Sequence, residues 1–129
     1  MSAISLILSA KILVTVVLVT GPFLLLPRSR LETITGVFAT SGTLFRLYGM
    51  AAAALLVGYG VGLWQSMNGV FPWPAVLMGL ASNIGAAGIL ASARTASSRV
   101  YALVFGTIGL LLIWTALSPT DAMQPLLTG

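Results

Sequence analysis

Residues 3–26 read AISLILSAKILVTVVLVTGPFLLL and contain a single charged side chain, that of Lys11. A helix needs about 20 apolar residues to cross the hydrocarbon core of a bilayer, and this run is too long for the apolar region of a cleaved signal peptide. No basic segment precedes it. The run therefore predicts a retained transmembrane helix, with a kink at Gly21-Pro22 because proline lacks an amide donor.

Composition extends the membrane prediction to the whole chain of 129 residues, of which 58% are hydrophobic and 6% charged. A soluble domain carries roughly 25% charged residues, so lipid rather than water must surround most of this polypeptide. We predict an all-α membrane protein, a four-transmembrane-helix antiparallel bundle that forms one domain over residues 1–129. Its helices are expected at about 3–26, 43–65, 74–93 and 99–117.

A short polar segment separates the first two predicted spans. Ser29 and Glu32 have the spacing of a capping box, in which each side chain bonds a backbone amide near the helix start. Leu31, Ile34 and Phe38 follow at helical spacing. This segment therefore predicts a short helix in the membrane interface.

The charges predict an orientation. Five arginines fall on one side of the predicted bundle: Arg28, Arg30, Arg46, Arg94 and Arg99. Three tryptophans fall at the opposite boundary: Trp64, Trp73 and Trp114. By the positive-inside rule the arginine side is cytoplasmic, so both termini are expected on the periplasmic side of a bacterial inner membrane.

Few side chains could carry chemistry. The sequence has no Cys and no His, and its acids are Glu32 and Asp121, on opposite sides of the predicted bilayer. Thiolate catalysis, His-based proton transfer and Cys-based metal sites are excluded, and we expect no metal, no cofactor and no enzymatic activity. The net charge is +4, but the six cationic side chains are spread along the sequence and form no basic patch, so no nucleic-acid partner is expected.

Lys11 is the most informative residue, because it lies about 13 Å below the outer surface at 1.5 Å per helical residue. A cation at such depth usually faces an interior or a water-filled cavity and has a partner. Asn83 and Tyr59 are expected at similar depth. One hypothesis is a ligand-binding polar cluster of these three residues. The alternatives are that Lys11 extends outward to the interface and that Asn83 only joins helices.

Small residues recur at four-residue spacing on the second and third spans. The residues expected to pack helices closely are Ala54, Gly58, Gly62, Gly79 and Gly85. Van der Waals contact drives helix association in lipid, and small residues permit it. The pattern fits packing within the chain, and it also fits an outward-facing stripe for a partner or a second copy.

Arg46, at the base of the second span, allows two further interpretations. It is expected either to anchor among lipid phosphates or to form a salt bridge with Glu32. Both roles would be structural.

The layout of the chain resembles a known family. A first span leads to the segment from Leu26-Pro27 to Gly36, and Phe45-Arg46-Leu47-Tyr48-Gly49 then opens a Gly-rich second span followed by two more. This arrangement resembles the small four-helix bacterial membrane proteins of the DoxX-like type. Many of these proteins have no assigned activity, and others are accessory subunits of membrane oxidoreductases. The resemblance therefore implies at most an accessory role and carries over no catalytic residue.

Two functions stay open from the sequence. The first is a non-catalytic subunit of a membrane complex, accessory or self-associating, with membrane lipids and another membrane protein or itself as partners. The alternative is a carrier or binder of a small anionic or lipidic ligand in a pocket near Lys11, reached from the outer leaflet.

Overall fold

The computed structural model describes residues 1–127 and shows that the chain is all-α, with four long apolar helices able to cross a membrane. A short helix lies between the first two spans, as predicted. The helices are α1 (Ala3–Leu25), α2 (Arg28–Thr35), α3 (Gly42–Met67), α4 (Trp73–Ser92), α5 (Ala96–Leu117) and α6 (Pro119–Met123). Helix α5 begins earlier than predicted, because Thr95 caps it by accepting a hydrogen bond from the Ser98 amide.

The four long helices form a ring of neighbours. Helix α1 packs against α3 and α5, and α4 packs against the same two, so α1 and α4 lie on a diagonal. Ser2 pairs with Pro125, and the Leu126 amide donates to the Met1 carbonyl oxygen at 3.1 Å. We call this the terminal end, and the opposite end, which carries the five arginines, the arginine end. The protein is therefore multi-pass, with both described chain ends on one side.

The terminal half of the bundle has a dense apolar core. Its fully buried side chains include Ile4, Leu8, Tyr59, Val76 and Leu112. They come from α1, α3, α4 and α5, so the core joins all four spans.

The predicted packing residues divide into two groups. A Cβ added at Gly62 would overlap that of Ala75, and one at Gly79 would lie 2.6 Å from Leu112. Gly58 is close to α4 in the same way, through the side chain of Met78. Ala54 and Gly85 are exposed on the outside of the bundle. Gly58, Gly62 and Gly79 therefore pack helices together within the chain, as predicted. Ala54 and Gly85 do not.

The second half of α1 is irregular. A π-helical turn, Val16–Thr20, directly precedes Gly21-Pro22, where the sequence predicts a kink. Proline has no amide hydrogen, so the Leu18 carbonyl lacks its α-helical donor. The Tyr101 hydroxyl donates to that carbonyl oxygen at 3.3 Å and replaces the missing bond.

Arg46 does not form the salt bridge with Glu32 that was one of its two predicted roles, since Glu32 pairs with Arg28. The Arg46 guanidinium donates to the carbonyl oxygens of Phe23 and Leu26, each at 2.9 Å. The last carbonyls of a helix have no partner within that helix, and Arg46 reaches across from α3 to supply one. The end of α1 is therefore attached to α3.

The predicted capping box is also wrong. Helix α2 begins at Arg28 with Pro27 before it, so Ser29 already lies inside the helix. Glu32 instead accepts hydrogen bonds from Arg28 Nε at 2.8 Å and from the Ala39 amide at 3.1 Å. These two donors, Arg28 above all, hold the pKa of Glu32 below its ordinary value of 4.5. Glu32 thereby fastens the loop between α2 and α3.

Candidate functional site

Lys11 points into the bundle. Its side chain is 4% exposed, and Nζ donates to Asn83 Oδ1 at 2.7 Å, across the diagonal from α1 to α4. Nζ also lies 5.0 Å from the ring centroid of Phe105 and 5.6 Å from that of Tyr59. Aromatic faces attract a cation at such distances. The alternative in which Lys11 extends outward is therefore wrong.

The structure brings all three predicted cluster residues together. Asn83 is fully buried, and its Nδ2 donates to the Gly79 carbonyl oxygen at 2.6 Å, which turns Oδ1 towards Lys11. Tyr59 is fully buried, and its hydroxyl shares a 2.8 Å hydrogen bond with Ser82. Asn83 thus joins two helices, as its structural interpretation expects, and it does so by accepting from the buried lysine.

Thr15 belongs to this site, although sequence reasoning missed it. It lies four residues after Lys11 on α1, so both side chains share one helix face. Its side chain is 4% exposed, and its hydroxyl has no hydrogen-bond partner among the described residues. A buried unpaired hydroxyl costs roughly 1–3 kcal/mol. The i, i+4 spacing from Lys11 was the one sequence signal that could have found it.

Two adjacent cavities meet at this cluster. The smaller, which we call the lysine chamber, has a volume of about 40 Å³ and is lined by Lys11, Thr15, Tyr59 and Ser82 among others. The larger, which we call the apolar cavity, has a volume of about 470 Å³ and lies at the arginine end between α3 and α4. The two share four lining residues: Val19, Tyr48, Ala86 and Phe105. They therefore form one site with a polar inner part and an apolar outer part.

The packing of α3 and α4 explains where the apolar cavity lies. In the terminal half, Gly58 and Gly62 let α3 approach α4 closely. Towards the arginine end the cavity separates the two helices, with Tyr48 on one wall and Ile89 on the other. Both side chains are exposed, as is Phe38 from the loop before α3. The cavity consequently opens on the side of the bundle, where lipid chains would lie.

No acidic side chain neutralises Lys11. The two acids of the sequence are Glu32, which pairs with Arg28 at the arginine end, and Asp121, which is exposed on α6 at the terminal end. An ammonium group has three donors, and the described residues give Nζ one hydrogen bond. Buried charges in proteins are normally paired or coordinated. Among the described residues, the site therefore presents a cation with unused donors and no anionic partner.

Comparisons with known proteins add no further assignment. No protein-family model, no curated protein and no solved structure matches this chain. The resemblance to the DoxX-like proteins stays a prediction. Within residues 1–127 no group of three His, Cys, Asp or Glu side chains could hold a metal ion.

Proposed function

We propose that this multi-pass membrane protein binds, and can carry, an amphipathic anion within its helix bundle, without a catalytic step of its own. The observation that supports this most is the burial of Lys11 at the inner end of a cavity whose described lining residues include no carboxylate. The anionic group of the ligand would lie at Lys11, and its apolar body would occupy the apolar cavity.

Charge is the first support. A cation in the middle of a bilayer is unfavourable by about 2.5–3.5 kcal/mol on insertion scales. One neutral amide and two aromatic rings compensate part of this for Lys11. A bound anion would complete the pairing and would gain a charge-assisted hydrogen bond.

Shape is the second support. Small-molecule sites usually have volumes of about 300–1,000 Å³ and are mostly apolar, with a few polar groups that fix orientation. The apolar cavity, at about 470 Å³, is within this range, and its lining includes Phe23, Phe45 and Leu90. Since it opens sideways between α3 and α4, the ligand would arrive from the bilayer rather than from water.

The proposed orientation in the membrane is based on the five arginines. With all five at one end and the positive-inside rule applied, that end is cytoplasmic, the chain ends are periplasmic and the host is a bacterial inner membrane. The apolar cavity then opens in the cytoplasmic half of the bilayer. We accordingly propose access from the inner leaflet, and not from the outer leaflet that the depth of Lys11 along the sequence predicts.

The test is equilibrium binding of radiolabelled dodecanoate to the protein in lipid nanodiscs. The variants are Lys11→Met and the matched control Arg99→Met, which removes an exposed cation outside the site. We expect saturable binding to wild type and the same affinity for the control. Lys11→Met should bind with an affinity lower than that of wild type by about tenfold or more, because a charge-assisted hydrogen bond contributes about 1.5–3 kcal/mol. Methyl dodecanoate should not compete. Equal affinity of all three proteins, or no saturable binding to wild type, would overturn the proposal.

A second candidate function is that of a subunit in a membrane complex. It is favoured by Gly85 and Gly88, which are exposed on α4 and have no described atom within 4 Å of an added Cβ. Small residues on a lipid-facing surface let another helix approach closely. Replacing both by Leu should release a partner, or a second copy, on a native gel in mild detergent. An unchanged migration of the double variant would count against this candidate.

A further inference from the structure

The unpaired hydroxyl of Thr15 identifies the chemistry of the anion, given the proposed function on which this inference rests. Thr15 Oγ1 is buried without a partner, and both Thr15 and Lys11 line the lysine chamber. The chamber therefore combines an unused hydroxyl with the unused donors of an ammonium group. A hydroxyl donates one hydrogen bond and an ammonium three, so these groups together call for a ligand with two acceptor atoms close together.

The charge of the lysine chamber limits the head group. Among the described residues that line the chamber, Lys11 alone is charged, so the chamber can balance a single negative charge. A carboxylate carries one negative charge, whereas a phosphate monoester carries about 1.5–2 at pH 7. The chamber therefore suits a carboxylate better than a phosphate.

We propose that the ligand is an amphipathic monocarboxylate and that Thr15 is a specificity-determining residue. One carboxylate oxygen accepts from Lys11 Nζ and the other from Thr15 Oγ1, while the apolar body extends past Phe105 into the apolar cavity. An alcohol or an ester could accept a hydrogen bond from the Thr15 hydroxyl but would leave the Lys11 ammonium group without an anion. A phosphate monoester would bring more negative charge than the one cation that lines the chamber can balance.

The chain offers a matched control for Thr15. Thr20 lies on the same helix and also has a buried hydroxyl without a partner, but it does not line the lysine chamber. Thr→Val replaces the hydroxyl by a methyl group of similar shape. The two substitutions therefore remove the same kind of group from the same helix, and only one of them removes it from the proposed site.

The experiment measures competition against radiolabelled dodecanoate in nanodiscs by dodecanoate, dodecyl phosphate and dodecanol. Wild type should prefer dodecanoate to each of the other two by about tenfold or more. Thr15→Val should weaken dodecanoate binding by about five- to tenfold, Thr15→Ser should restore it to within about twofold, and Thr20→Val should leave it unchanged. The Ser variant separates a contact with the ligand from a merely structural role.

The outcomes distinguish this inference from the proposed function. If wild type binds none of the three amphiphiles saturably, the proposed function fails and this inference with it. If dodecanoate binds in a Lys11-dependent manner but dodecyl phosphate competes equally, or Thr15→Val binds as wild type does, the proposed function stands and the carboxylate assignment is wrong. Should Thr15→Val fail to fold, the head-group preference of wild type alone decides.

Discussion

The two halves of this bundle are built differently, although the same helices run through both. In the terminal half regular helices meet through glycine, as at Gly62 and Gly79, around fully buried Leu8 and Leu112. In the arginine half, α1 contains a π turn and a proline, and the apolar cavity separates α3 from α4. Lys11 lies where the two halves meet. The dense half fixes the position of the cation, and in the proposed function the open half would give a ligand access to it.

Backbone regularity follows the same division. Irregular backbone is tolerated at membrane depth only where protein or a cavity surrounds it and other groups satisfy its polar atoms. In α1 these groups are Tyr101 for the Leu18 carbonyl and Arg46 for two further carbonyls. The cavity therefore depends on a few long polar side chains that replace missing backbone hydrogen bonds.

Arg46→Met should have the largest effect, and it should loosen only the arginine half. The substitution leaves the carbonyls of Phe23 and Leu26 without their donor. We expect a loss of about 3 kcal/mol, because a hydrogen bond to a charged group contributes roughly 1.5–3 kcal/mol. Hydrogen–deuterium exchange should rise in residues 19–26 while residues 55–66 stay protected. The exposed Arg99→Met is the control, and equal exchange in both variants would remove the structural role assigned to Arg46.

Gly62→Ala should disturb the terminal half instead. The new Cβ would overlap that of Ala75 between two helix backbones, and such overpacking typically destabilises by about 1–3 kcal/mol. The matched control is Gly60→Ala on the same helix, where no described atom lies within 4 Å of the new Cβ. Thermal unfolding in detergent should show a lower midpoint for Gly62→Ala and an unchanged or higher one for Gly60→Ala. Equal midpoints would contradict the close approach of α3 and α4.

Tyr101→Phe should have a smaller effect, confined to the irregular part of α1. It removes the donor to the Leu18 carbonyl, a long bond at 3.3 Å, so we expect a loss of about 0.5–1 kcal/mol. In a Pro22→Ala background the restored amide can serve that carbonyl, and the same substitution should then have almost no effect. A double-mutant cycle without coupling between Tyr101 and Pro22 would show that the hydroxyl does not replace the missing bond.

The smallest expected effect concerns pH. Arg28 and the Ala39 amide hold the pKa of Glu32 below 4.5, so its stabilising contribution is present above that pH and is lost as the pH falls through the lowered value. Exchange of the Ala39 amide, corrected for intrinsic rates, should increase on acidification. Glu32→Ala should show this increase already at pH 7. A protection factor at Ala39 that is the same in the variant and in wild type would exclude this contact.

Much of the fold could be predicted from the sequence, because apolar length and charge placement are read directly from composition. The four spans and the short helix between the first two are confirmed. The predicted salt bridge of Arg46 and the predicted cap at Ser29 were wrong for a common reason. Backbone carbonyls and amides do not appear in a sequence pattern, so the partner of Arg46 and the cap of α2 could not be predicted from side-chain spacing.

The candidate site could be predicted from the sequence only in part. Depth along each helix identified Lys11, Asn83 and Tyr59, and the structure brings them together. Thr15 was missed because nothing in the sequence shows that its hydroxyl lacks a partner. The apolar cavity could not be foreseen either, since it depends on how far α3 and α4 separate beyond their glycine contacts.

The most direct test uses the fact that Lys11 is the one lysine of the sequence. Labelling with lysine carrying ¹⁵N at Nζ gives a single side-chain amine signal, and solid-state NMR in bilayers can measure its distance to the ¹³C-labelled carboxyl carbon of bound dodecanoate. Our account predicts a separation of about 4 Å or less, as in an ion pair. Saturating dodecanoate with no measurable coupling between the two nuclei would contradict it.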